Sequence, residues 1–161
     1  MTAYASGTQV PASRSRDEIE RTLKRFGAKN IAFASLSQVI VVAFTFEELT
    51  IRVQVPLPVA SDDVFVFASV NKTAKRRRTP KQAEEAWQRE VNRLWRALAA
   101  VIKAKLVAVD EGVSTVESEF LSAIVLPDGR TMGEWAEPQL ARGEPLPLLP
   151  SPQKALGRGD A

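Results

Sequence analysis

Apolar residues recur with two different spacings along this chain, and each spacing predicts a different element. Over residues 79–110, Trp87, Val91, Leu94, Leu98, Ile102 and Val109 fall on one side of a wheel turned by about 100° per residue, with Trp95, Val101 and Leu106 on its flanks. Arg89, Arg93, Arg96 and Lys103 fall on the opposite side. Lys105 breaks the pattern by landing on the apolar side, where its stem can run past the core edge while the charge stays in water. The spacing predicts one long amphipathic helix. Thr79 as N-cap, Pro80 at the first helical position and Gln82 completing a Thr-x-x-Gln capping box mark its start, and no further Pro or Gly interrupts it before Gly112. At 1.5 Å per residue it would be about 45 Å long.

Upstream the period shortens to two. Residues 30–36 alternate Ile31, Phe33 and Ser35 against Ala32, Ala34 and Leu36. Residues 38–46 hold a nearly continuous apolar run from Val39 to Phe44, which suits either a central strand covered on both faces or a strong edge for pairing. Residues 49–55 alternate Leu49, Ile51, Val53 and Val55 against Thr50, Arg52 and Gln54. The links at Ser37 and Glu47-Glu48 are short enough to predict an antiparallel meander, which Pro56-Leu57-Pro58 ends. Val64 to Phe67 is a candidate fourth strand, reached through the acidic turn Ser61-Asp62-Asp63; failing that, residues 59–78 form a long loop.

Four-residue capping patterns place the shorter helices. Ser15-Arg16-Asp17-Glu18 opens one that carries Ile19, Leu23 and Phe26 and stops at Gly27. Ser114-Thr115-Val116-Glu117 opens a second, with Val116, Phe120, Leu121 and Ile124. Thr131-Met132-Gly133-Glu134 opens a third, with Trp135 and Leu140, ended by Gly143. Between the last two, Leu126-Pro127-Asp128-Gly129-Arg130 reads as a tight turn. The expected architecture is α+β: an N-terminal helix, a three- or four-stranded antiparallel meander packed on the long helix, and two short helices. Residues 13–143 form the single domain, with a flexible tail at 1–12 and a Pro/Leu-rich tail at 144–161 favouring polyproline II.

Composition removes several classes of function. The 161 residues contain neither Cys nor His, which excludes disulfides, thiolate metal sites and triads built on histidine. No run approaches the length of a membrane span, and the expected location is cytoplasmic. The formal net charge of +3 is concentrated in one place. Lys72, Lys75, Arg76, Arg77 and Arg78 contribute five positive charges without an intervening acid and leave the rest of the chain at −2. Such a segment attracts polyanions locally rather than along a whole surface.

Five stretches carry a resemblance. They are the run Ala-Leu-Ala-Ala-Val-Ile-Lys-Ala-Lys at residues 97–105, the run Val-Leu-Pro-Asp-Gly-Arg-Thr-Met-Gly-Glu-Trp at 125–135, and the shorter matches Ile19-Glu-Arg-Thr-Leu23, Pro56-Leu-Pro58 and Pro-Leu-Leu-Pro150. Over residues 15–150 the chain resembles a family of small proteins carried by tailed bacteriophages and prophages. Members occur among phage genes for DNA metabolism, which implies a nucleic-acid role by association, and the location would then be the bacterial cytoplasm. The family has no established activity to transfer, and no site residue is carried over.

The candidate chemistry is electrostatic. Carboxylate pairs at Glu47-Glu48, Asp62-Asp63, Glu84-Glu85 and Asp110-Glu111 lack the spacing of a two-metal nuclease, so no metal, cofactor or catalytic residue is expected. The Pro-Asp-Gly-Arg turn lacks the repeated glycines of a phosphate loop. Basic residues before and along the long helix are the leading feature: Lys72, Lys75, Arg76, Arg77, Arg78 and Lys81, continued by Arg89, Arg93 and Arg96. They suit contacts to a nucleic-acid backbone, DNA before RNA, with weak sequence preference. A solvated connection and an ordinary polar helix face account for the same residues. Phe65 and Phe67 are the aromatics nearest the basic segment, and Trp87 and Trp95 read as packing. The alternative is a protein-interaction module that modulates a host or phage enzyme by docking on an acidic surface; a third reading is self-assembly through a Val39–Phe44 edge.

Overall fold

The computed structural model describes residues 12–36, 38–71 and 74–143. Both expected tails fall largely or wholly outside these. A helix α1 (Ala12–Arg25) leads into three strands, β1 (Lys29–Leu36), β2 (Val39–Phe46) and β3 (Leu49–Pro56), and the long helix α3 (Pro80–Asp110) follows after a short insertion. The sheet is an antiparallel meander in the order β1-β2-β3, with Phe33, Val42 and Val53 in register across it. The α+β expectation holds. Glu47 turns the β2–β3 link with φ 52°, a conformation usually left to Gly or Asn.

β2 is the central strand, so the expected alternative of an assembly edge at Val39–Phe44 is overturned: both of its ladders are taken. Its even positions Ile40, Val42 and Phe44 are buried, while Val39, Val41 and Ala43 on the other face are half-buried. The expected fourth strand does not join this sheet. Val64 to Val66 lie in a single helical turn, α2 (Asp63–Val66), and Phe67–Ser69 form a strand, β4, of a separate hairpin with Lys75–Arg77, β5.

The core lies between the sheet and a helical layer made by α1 and α3. Ile40, Val42, Phe44 and Ile51 meet Val91, Trp95, Leu98, Ala99, Ile102 and Leu106, and Ile19 and Leu23 close it from α1. Phe33 meets Trp95 with ring centroids 6.2 Å apart, and Phe44 meets Phe120 edge-on at 5.6 Å. The buried side of α3 is rotated from the expected one. Trp95, Ala99 and Leu106 are buried because α1 covers that flank, whereas Val101 on the opposite flank stays 50% exposed. Thr79 and Gln82 form the expected capping box of α3. Lys105 does reach off the apolar side: its Nζ donates to the Glu119 carbonyl and, at 3.3 Å, to Glu119 Oε2.

α1 departs from its expected start. Ser15 is not an N-cap but a buried residue inside the helix, and the backbone N–H of Ala12 donates to Asn92 Oδ1 of α3 at 3.1 Å. The acceptor comes from 80 residues away, so no local pattern announces it. The second capping pattern is displaced by one: Thr115 caps α4 (Val116–Phe120), which passes through a 3-10 turn at Leu121–Ala123. Ile124 then bridges Ile51 at the free side of β3, and the turn at Gly129 (φ 85°) leads into α5 (Met132–Ala141) with its expected Thr131/Glu134 box.

Candidate nucleic-acid interface

Lys75, Arg76 and Arg77 occupy one strand of the β4–β5 hairpin, in register with Ser69, Ala68 and Phe67. A strand alternates its side chains, which sends Lys75 and Arg77 to one face and Arg76 to the other. All three are exposed. The turn is pinned by Asn71, whose Oδ1 accepts from the Ala74 N–H at 2.7 Å, and by Val70 N–H donating to the Ala74 carbonyl at 2.9 Å. What the sequence suggests is a loose basic loop is, in its described part, a strand with fixed side-chain directions. Lys72 lies outside the described residues.

Arg78 does something else. Its Nη1 donates to the carbonyls of Val64, Phe65 and Phe67 at 2.8, 2.9 and 2.8 Å, while its backbone N–H donates to the Val66 carbonyl. These carbonyls lie at the C-terminal end of α2, where helical oxygens lack partners within the helix and a cation is favoured. Arg78 therefore fastens the hairpin base to α2 and is half-buried there. Of the nearby aromatics, Phe65 is buried and Phe67 half-buried. Trp87 donates from Nε1 to the Pro58 carbonyl at 2.8 Å, and Trp95 is core.

The cations along α3 also separate. Lys81 and Arg89 are exposed. Arg93 is half-buried and forks onto Glu90, with Nε on Oε2 at 2.9 Å and Nη2 on Oε1. That hydrogen bond holds the Glu90 carboxyl below the ordinary range and raises Arg93 further. Arg96 is half-buried. Of the nine basic residues expected at the interface, the structure leaves Lys75, Arg76, Arg77, Lys81 and Arg89 exposed, and gives Arg78 and Arg93 internal partners.

A second group of cations gathers elsewhere. α1 lies along α3 in the same direction, with Ala12 at its start against Asn92 and Arg25 at its end sharing a groove with Lys103. This groove, about 440 Å³, is lined by Arg14, Arg21, Arg25 and Lys103, with Glu18 and Thr22. Arg14, Glu18, Arg21 and Arg25 recur at i, i+4, i+7 and i+11, a stripe legible in the sequence as the polar side of α1. Among the described residues no three Asp or Glu side chains converge as a metal site, and no helix is long and apolar enough to cross a membrane. Comparison with known protein families, with curated proteins and with solved structures found no match for this chain.

Proposed function

We propose that this protein is a non-enzymatic accessory protein that binds nucleic acid, DNA before RNA, through backbone contacts of the β4–β5 hairpin. The observation that carries this reading is the exposed Lys75-Arg76-Arg77 strand, which no carboxylate pairs among the described residues. Clustered cations of one sign repel each other in water and gain when phosphates neutralise them and counterions are released. Lys81 and Arg89 extend the contact along α3. The resemblance to phage proteins is consistent with a role in phage DNA metabolism. The hairpin is a ribbon of only three residues per strand, and the exposed side chains of β5 are all Lys or Arg, suited to phosphate contacts, so binding is expected to follow charge and not sequence.

The test is fluorescence anisotropy with labelled single- and double-stranded DNA between about 50 and 200 mM salt, the range over which phosphate contacts are lost. Replacing Lys75, Arg76 and Arg77 by Ala is expected to reduce the log–log salt slope by about 2.7 on duplex, at about 0.9 per phosphate contact. An unchanged slope would sink the hairpin assignment. A second reading, docking on an acidic protein surface, is favoured by one observation: β1 has a strand neighbour on one side only among the described residues, so its outer edge is open to β-augmentation. Co-purification of a stoichiometric protein partner, with DNA binding absent, would move the assignment there.

A further inference from the structure

The groove between α1 and α3 brings together four cations and one carboxylate on two helices that meet nowhere near each other in sequence. A solvated helix face would place these side chains apart; here Lys103 of α3 faces a row from α1. Arg25 lies over the Phe26 ring with Cζ 4.7 Å from its centroid, and Arg21 Nε donates to the Asp17 carbonyl at 3.2 Å. Both contacts limit the directions these guanidinium groups sample. A limited guanidinium loses less freedom when its planar fork meets phosphate oxygens. Arg14 and Arg25 are eleven residues apart, about 16 Å along α1, which one strand of B-form duplex covers in about five nucleotides.

We propose that this groove is a second phosphate-binding contact of the protein, with Arg14, Arg21, Arg25 and Lys103 as its cations and the nucleic-acid backbone as its ligand. As a nucleic-acid contact it rests on the reading above, but it uses different residues at the other end of the helical layer. Along the α3 axis the groove runs from near Asn92, about 20 Å from Thr79, to Lys103, about 36 Å from it.

The experiment pairs two measurements on the full chain. The first compares the salt slope on a 24-base-pair DNA duplex for the wild type, for Arg14→Ala/Arg21→Ala and for the hairpin triple variant. Arg14 and Arg21 are both exposed, and an unchanged thermal melt verifies that the double variant folds. The double variant is expected to lower the slope by about 1.8, two contacts at about 0.9 each. The second is a titration of isotope-labelled wild-type protein with sodium pyrophosphate, followed by amide shifts, which are expected at Arg14, Arg21, Arg25 and Lys103. An unchanged slope beside a weakened hairpin variant overturns the groove and leaves the hairpin reading standing. Absent DNA binding retires the nucleic-acid reading, and pyrophosphate shifts then decide the groove by themselves: their confinement to the four residues supports a phosphate site, and their absence overturns it.

Discussion

Arg77 and Arg78 are neighbours in the chain with opposite roles. Arg77 is exposed on the hairpin, whereas Arg78 holds three carbonyls. Arg78→Ala is therefore expected to destabilise the fold by about 1.5–3 kcal/mol, the range for hydrogen bonds to a charged group, measured by urea denaturation. Arg76→Ala should stay within about 0.5 kcal/mol of wild type and weaken DNA binding instead. Glu134 offers a residue-scale test by pH. The Thr131 N–H and the Arg52 guanidinium hold its carboxyl below the ordinary range. A depressed acid contributes stability above its unfolded value and loses it as pH falls through the folded one. Glu134→Gln keeps a capping box, as Gln82 does in α3, but removes the charge facing Arg52. Its stability deficit should be visible at pH 7, begin to shrink as pH falls past the ordinary Glu value of about 4.3, and vanish only below the depressed folded value; a deficit independent of pH would contradict the ion-pair account.

Elements whose signals are local could be read before the fold was known. The Thr79/Gln82 and Thr131/Glu134 boxes, the glycine at 129 and the alternation in β3 each depend on residues within one turn or one strand. What escaped depends on distant partners. The Glu90–Arg93 pair, three residues apart on α3, is local and legible in the sequence, whereas the start of α1 depends on Asn92, the rotation of the buried side of α3 depends on α1, and the role of Arg78 depends on carbonyls of α2. Gly133 is a similar case: a Cβ there would stand 2.9 Å from the Ser122 carbonyl oxygen, a backbone atom with little room to yield. Gly133→Ala should cost about 1–3 kcal/mol by overpacking, despite the better helix propensity of Ala, as a lowered thermal midpoint would show. Asn92→Ala should loosen the first turn of α1 at about 1 kcal/mol, detectable as faster amide exchange confined to that turn.

For the whole molecule, the meander, the two helices over it and the cations on the helical layer form one arrangement in which α3 touches nearly everything. It carries the core face, receives α1 on one flank, takes α2 near its start and α4 near its end. Leu98, buried at the middle of α3, should therefore be a sensitive core site, with Leu98→Ala costing about 2–5 kcal/mol in a single cooperative urea transition. The contact between Ala12 and Asn92 also sets an order in time. A helix of 14 residues is marginal alone, and α1 buries Ile19 and Leu23 only once α3 exists. On a ribosome adding about 5–20 residues per second, the 80 residues that separate Ala12 from its acceptor take roughly 4–16 s to emerge. Throughout that interval the first helix lacks its larger docking surface on α3 and has only β1 to pack against, and the meander, complete by residue 56, is the earliest part of the chain able to assemble from its own neighbours.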